Sequence, residues 1–362
     1  MVTRTNEQAL EAAIERQLTG TCLEDLKSAS LGEENEIGDI EMPFGRNHGY
    51  DLGYPQHFNP EYAVDELRLW RFLETTQEEE LDKLKRNSFG SEEWKRKILE
   101  RLDRIVKKYG LLHILKKGLS VDDAHLVMMF PAPLASSSET VKYNFTRNIF
   151  SSTRQVPYSL ANPMETIDLV LFINGLAFAT MELKNPWTGQ TARYHGRKQY
   201  RINRDNTQPL LQFGRCLVHM AVDTDEVYMT TKLEGKSTNF LPFNKGCNEG
   251  AGNPPDTGGH KSAYLWKEVF SKQSVANLIE HFIRFDGKAK DPLKTRTLFF
   301  PRYHQMDVVR KLTAHAAQNG IGNTYLIQHS AGSGKSNSIT WASYQLIETY
   351  PDNMDVRGAK SM

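Results

Sequence analysis

The chain lacks the features that would place it outside a cell or in a membrane. Its three cysteines, Cys22, Cys216 and Cys247, are far apart and odd in number. They form neither a zinc spacing nor a disulfide framework, which points to a reducing, cytoplasmic setting. No run of about 18 apolar residues occurs, so no membrane span is expected. The opening MVTRTNEQALEAAIERQL reads as an amphipathic helix and not as a signal peptide. An excess of one charge is also missing. Lysine and arginine number 45 against 44 aspartates and glutamates, a net charge of +1. No global basic footprint announces nucleic acid, so any such binding must use local patches. No internal repeat is present. The length, 362 residues, suits two domains, or one large domain with part of another.

What is present is concentrated in one stretch. Residues 167–184 read IDLVLFINGLAFATMELK, two apolar runs joined by Asn174-Gly175. Asparagine-glycine between β-rich runs signals a hairpin. Glu182 and Lys184 lie two apart on one strand, so they leave the same face. Two carboxylates and an ammonium on one sheet face suit a metal ion and an attacking water. Asp168 and Glu182 would hold Mg²⁺, and Lys184 would orient or deprotonate the water, or neutralise developing charge. Register decides whether Asp168 joins the other two. A two-residue loop sets Asp168 opposite Met181, on the wrong face. A three-residue loop, Ile173-Asn174-Gly175, with Gly175 as a left-handed bulge, pairs Phe172 with Leu176 and restores the shared face. The metal reading requires this bulged loop. The competing reading is a strand pair with ordinary solvated ends. Against it, the other positions are almost wholly apolar, as in a hairpin buried on both faces, where three ions need a reason.

Around the hairpin, helices are expected near residues 7–18, 62–72, 78–85, 91–108 and 265–285, and irregular chain over 28–60. Strands are expected at HLVMMF (125–130), near Lys142–Phe150, and twice in CLVHMAVDTDEVYMTT (216–231) with a turn at Asp223–Glu226. The densest basic patch, Arg193, Arg197, Lys198, Arg201 and Arg204, follows the acids directly. A phosphate backbone would need support there, although a polar helix surface explains it equally.

A second motif is Thr324-Tyr-Leu-Ile-Gln-His-Ser-Ala-Gly-Ser-Gly-Lys-Ser336. It reads as a strand running into a glycine-rich turn and then a helix, the context of a phosphate-binding loop. Gly332 and Gly334 allow the turn, and Ser333 lies between them. Lys335 would reach the β- and γ-phosphates, and Ser336 would ligate Mg²⁺. His329 stands where the strict pattern has glycine. Upstream, Gln305 could read an adenine edge. No acidic motif and no second lobe follow, so a truncated motor is expected, without ATP hydrolysis. The closing residues, DNMDVRGAKSM, do not read as its continuation.

The order of these motifs, with FLPFNKG and PRYHQ between them, resembles the R subunit of Type I restriction-modification enzymes, from about Glu7 to Glu348. The resemblance implies an α/β fold. A PD-(D/E)xK restriction-endonuclease-like core, a mixed sheet flanked by helices, would occupy residues 1–285. A truncated RecA-like segment of a superfamily 2 motor would occupy 286–362. It implies Asp168, Glu182 and Lys184 as the nuclease motif, with Gln199 as a further catalytic residue and Asn203 where the family has tyrosine. Glu11 matches a first-helix acid and Gln305 the adenine-reading glutamine, and the family tolerates histidine at 329. It also implies cleavage of double-stranded DNA with Mg²⁺, ATP in the full motor, and methyltransferase and specificity subunits as partners. Two alternatives remain: a catalytically silent DNA- or subunit-docking fragment with residual nucleotide binding, and a nucleotide switch.

Overall fold

The computed structural model describes residues 7–30, 49–86, 88, 92–134, 136–248, 250–288, 290–320 and 322–349. Part of the stretch expected to be irregular, Ser91 of the long helix, and the closing residues lie outside them.

The chain begins with two helices, α1 (Glu7–Thr19) and α2 (Leu23–Ser30). α1 buries Leu10, Ile14 and Leu18, one face at helical spacing. Three short strands follow: β1 (Tyr50–Leu52), β2 (Phe58–Asn59) and β3 (Val64–Asp65). Asp65 then caps α3 (Glu66–Thr76) by accepting from Arg68 N at 3.2 Å. This cap starts the helix four residues later than its apolar pattern suggests. Next come α4 (Glu78–Arg86), α5 (Glu93–Tyr109) and α6 (Leu111–Lys117). Gly110, at φ +84°, separates the last two. A small hairpin of β4 (Leu119–Val121) and β5 (Ala124–Leu126) covers only the start of the expected strand at 125–130.

Residues 142–149 are not a strand. Ser138 caps α7 (Glu139–Thr146), accepting from Val141 N at 3.4 Å, and the strand β6 begins only at Phe150 and runs to Pro157. Local capping overrides an apparently alternating stretch. β7 (Thr166–Ile173) and β8 (Leu176–Leu183) form the central hairpin. β9 (Val218–Val222) and β10 (Val227–Thr230) are the expected pair, and β11 (Leu241–Pro242) closes the sheet edge.

The main sheet runs β1-β6-β7-β8-β9-β10-β11, with the β2–β3 hairpin attached to β8. It is mixed: β1 lies parallel to β6 and β8 parallel to β9, while β6–β7, β7–β8, β9–β10 and β10–β11 are antiparallel. Residues 50–52, expected to be irregular, are thus a sheet strand. Each face of the sheet has its own core. Leu169, Leu171 and Ile173 enter one with α1 and α5, and Val170 and Phe172 enter the other with Tyr200 and Leu210. Alternation along β7 explains the split.

A helical segment over 265–282, containing α8 (Lys272–Asn277), leads to a two-stranded ribbon of β12 (Arg284–Asp286) and β13 (Thr297–Phe299). α9 (Tyr303–Asn319) and α10 (Lys335–Ile347) then pack together and rest on that segment through Phe282 and Trp341, whose ring centroids are 5.4 Å apart. The strand expected over 324–328 is not formed: that stretch has no regular structure and pairs with no strand among the described residues, and Leu326 is almost wholly exposed. Among the described residues no helix is long and apolar enough to cross a membrane.

Candidate active site

β7 and β8 join through a two-residue turn. Ile173 pairs with Leu176, and Asn174 and Gly175 take φ of +50° and +79°. Two positive φ values give the mirror-image turn whose twist matches that of the strands. Asn174 is locked in place. It accepts from Ile149 N at 2.7 Å and donates to Met128 O and Asn148 Oδ1, both at 3.0 Å. A Cβ on Gly175 would lie 2.7 Å from Leu69 N, so no other residue fits without displacement.

The three-residue loop that the metal reading required is therefore absent. A bulge inside β8 takes its place. Leu171 pairs with Ala179 and Phe172 with Ala177, which leaves Phe178 extra. Phe178 and Ala179 accordingly turn into the same core. Beyond the bulge Leu169 pairs with Met181, so Asp168 comes opposite Glu182. The bulge thus carries Glu182 and Lys184 onto the face of Asp168.

The three groups sit in a nearly closed site. Relative exposure is 8 % for Asp168, 0 % for Glu182 and 5 % for Lys184. Asp168 Oδ2 accepts from Leu183 N at 2.7 Å and lies 3.8 Å from Lys184 Nζ. Lys184 Nζ donates to Leu183 O at 2.7 Å and approaches Glu7 Oε1 at 3.4 Å. Glu182 is held by both ends of the Arg204 fork, Nε–Oε1 at 2.7 Å and Nη2–Oε2 at 3.1 Å. Burial, and then the charge of Asp168, push the Glu182 carboxyl well above its usual range, while Arg204 pulls the other way.

α1 adds a second layer of acids. Glu7, Glu11 and Glu15 recur every four residues and so share one face. Arg154 of β6 holds two of them and an acid of α2, donating from Nε to Glu11 at 2.8 Å and from Nη1 to Glu24 of α2 at 2.8 Å, with Glu15 at 3.4 Å. Burial raises the Glu11 carboxyl, with Asp168 adding to the shift, and raises Glu15 to about 7. Gln155, next to Arg154, has φ +51°, a left-handed backbone inside a strand, and its amide donates to Glu11 at 2.8 Å. Unfavourable backbone of this kind concentrates where the surroundings over-determine it, functional sites included.

Among the described residues no three of His, Cys, Asp and Glu gather as a ready-made metal cage. Two carboxylates remain compatible with Mg²⁺, a hard ion that takes oxygen ligands and keeps several waters.

Compared with known families, residues 31–238 match the family described as Type I restriction enzyme R protein N terminus. The chain belongs to that family. No curated protein matches it. The matched part of this R-protein chain contains Asp168, Glu182, Lys184 and Gln199, and the mixed sheet flanked by helices fits a nuclease-like core.

The basic patch after the hairpin divides. Its backbone forms two π-helical turns, Ala192–Gly196 and Gln199–Asn203. Gly196 lets the first turn lie directly on β9, since a Cβ there would stand 2.9 Å from Ala221 Cβ. Arg193 and Lys198 face solvent. Arg197 lies over the Tyr228 ring at 4.7 Å, and Arg201 donates to Thr238 O at 2.9 Å. Arg204 turns fully inward to Glu182. Gln199 is half-buried and makes no side-chain hydrogen bond among the described residues. Its neighbour Tyr200 reaches the hairpin instead, with its hydroxyl 2.7 Å from Thr180 Oγ1, which also meets His219 Nδ1 at 2.7 Å. Burial lowers His219 to about 3, so this network is neutral. Asn203 is exposed.

The glycine-rich loop has no comparable enclosure. Gly332 and Gly334 have φ of +70° and +82°, and Gly334 caps α10. Lys335 is exposed and folds back, donating to His329 O at 2.9 Å and Ser330 O at 3.3 Å. Gln305 donates to Ser333 O and Gly334 O, both at 3.1 Å, which fastens α9 to the loop. Ser333 is buried and Ser336 exposed.

Arg204 as the partner of Glu182, Arg154 as the anchor of α1, and Glu7 beside Lys184 are visible only in the fold. The acids at four-residue spacing next to the apolar stripe of α1 were a usable signal. Nothing local marks Arg204 as inward-facing among five bases.

Proposed function

We propose that this chain hydrolyses DNA phosphodiester bonds with Mg²⁺ as part of a Type I restriction complex. The observation that carries this reading is the β8 bulge, which sets two carboxylates and an ammonium on one enclosed face. Asp168 and Glu182 would hold the ion. Bound there, Mg²⁺ would supply charge stabilisation at a phosphoryl oxygen. Lys184, anchored between Asp168 and Leu183 O, would orient a water in line with the scissile bond. The water oxygen would bond to phosphorus as it releases a proton to solvent, the bond to the 3′-oxygen would break, and the departing oxygen would take up a proton from solvent. Gln199 would support the substrate from the adjoining helical turn. Arg193 and Lys198, turned outward beside the site, would meet the DNA backbone.

We assign the nuclease unit to residues 1–285 and the start of a motor unit to 286–362. In the latter, Gly332, Ser333, Gly334, Lys335 and Ser336 would take the phosphates of ATP, with Gln305 beside the base. Methyltransferase and specificity subunits would provide recognition and protection.

The test is nicking of supercoiled plasmid with Mg²⁺ and without ATP, comparing wild type with Glu182→Ala. Nicking should fall on the order of 10²–10³-fold in the variant. Equal nicking by both proteins would remove the hairpin as the active site.

A further inference from the structure

Arg204 takes an unusual position for a residue beside a metal-holding carboxylate. It ends the second π-helical turn, where its N–H donates to Gln199 O at 3.0 Å and the backbone becomes extended, with φ −101° and ψ 126°. That change of direction sends the side chain back under the sheet. Its guanidinium grips both oxygens of Glu182, at 2.7 and 3.1 Å, and lies over the Tyr158 ring at 5.5 Å. The side chains of the pair are only 12 % and 0 % exposed. Arg204 also stands close enough to Asp168 for their charges to couple.

This arrangement conflicts with cation binding as it stands. A carboxylate held at both oxygens by a fork keeps one lone pair on each, but a divalent ion there would add two charges beside the guanidinium. Each acid of the hairpin already has a cation, Glu182 with Arg204 and Asp168 with Lys184. Repulsion between the ion and the guanidinium would favour release of at least one Glu182 oxygen by Arg204. The flat fork that fits a carboxylate also fits a pair of phosphate oxygens, and a lysine in the same place could not do both.

Resting on the nuclease reading above, we propose that Arg204 holds the place of the metal. It pairs with Glu182 in the unloaded protein, yields to the divalent ion, and turns to the non-bridging oxygens of the scissile phosphate. The residue is then both a brake on premature ion binding and a catalytic contact in the loaded state. No covalent change in Arg204 is involved.

The test uses the whole chain as wild type, Arg204→Gln and Arg204→Lys. Mg²⁺ is titrated calorimetrically without DNA, and plasmid cleavage is measured separately as kcat and KM at saturating Mg²⁺. Arg204→Gln should bind Mg²⁺ about fivefold tighter or more, because its competitor is gone. Its kcat should fall roughly a hundredfold with little change in KM for DNA. Arg204→Lys should lie between, keeping the charge and losing the fork. If Arg204→Gln does not fold, the same directions in Arg204→Lys decide the matter. Unchanged or weaker Mg²⁺ affinity in the variants, or cleavage fully restored by extra Mg²⁺, would reduce Arg204 to a structural residue. If wild type does not nick DNA at all, the nuclease reading fails, and the calorimetry still decides whether Arg204 competes with a cation for Glu182.

Discussion

The hairpin at residues 166–183 and the glycine-rich loop at 329–336 were equally plain as motifs, yet they reach different states in the fold. The hairpin is enclosed: β6 and β9 flank it, α1 and the π-helical turns cover its ends, and Glu182 has no exposure. The loop is open: the stretch before it pairs with no strand among the described residues, and Lys335 donates only to the loop's own carbonyls. The difference lies in where the hydrogen bonds go. A two-residue turn closes a hairpin on itself, and neighbouring strands then satisfy its outer edges. A single strand before a glycine-rich loop has no partner unless a sheet exists to receive it. The turn and helix that follow are local and form without one, helped by Gly332, Gly334 and the tether from Gln305. A motif written in a few residues therefore predicts local geometry well, and its strand only where the sheet is present.

Glycines in the two regions offer the sharpest contrast. Gly175 and Gly332 both have positive φ, at +79° and +70°. A Cβ on Gly175 would meet Leu69 N at 2.7 Å and Leu69 Cβ at 2.8 Å, whereas one on Gly332 would meet nothing within 4 Å. Gly175→Ala should destabilise the protein by about 3–5 kcal/mol, combining left-handed strain with a backbone clash. Gly332→Ala should cost only the strain, about 1–2 kcal/mol. Urea unfolding of both variants measures this. Equal losses would mean that the open loop is as constrained as the buried turn.

The same division governs how far the sequence could be read. Paired strands with strong turn signals, 166–183 and 218–230, were legible, because period-two apolar residues and Asn174-Gly175 or Asp223–Glu226 are local information. Whether Asp168 and Glu182 share a face was not legible, because it hangs on the register. The turn chemistry allowed either loop, and whether the extra residue sits at Gly175 or at Phe178 depends on packing, since Phe178 lies against Phe270 at 6.0 Å. Sequence also could not say that β1 reaches back to lie parallel to β6, a pairing of residues 100 positions apart such as Tyr50 with Phe150. Of the basic patch, Arg193 and Lys198 kept the solvent-facing role that charge suggests, and Arg204 did not, because the orientation of a π-helical turn is not written in its composition.

Burial of the acids also separates the two regions in their response to pH. Glu15 is fully buried and titrates near pH 7 in the fold, against an ordinary value of 4.5. Between these values the unfolded chain has lost its proton while the folded one retains it, so stability falls as pH rises from about 4.5 to 7 and then levels. Glu11 and Glu182 shift in the same direction. Glu15→Gln keeps an oxygen that can accept from Leu23 N, now 3.0 Å from the carboxylate, and removes the buried charge. At pH 8 it should gain on the order of 2–3 kcal/mol over wild type, and near pH 4.5 almost nothing. Parallel pH dependence in the two proteins would show that Glu15 ionises freely.

The smallest effect belongs to the exposed lysine. Lys335 is solvent-facing, and its two hydrogen bonds are to carbonyls that water can serve equally. Lys335→Ala should shift stability by less than about 0.5 kcal/mol. It should leave Mg²⁺-dependent nicking without ATP at the wild-type rate, because the acids around Asp168 and Glu182 are bound by strands on which the loop does not act. Nucleotide affinity, measured by equilibrium binding of ATP with Mg²⁺, should be the property that falls. A loss of nicking in Lys335→Ala would instead mean that the open loop and the enclosed hairpin are coupled, and that the assembled site answers to the unassembled one.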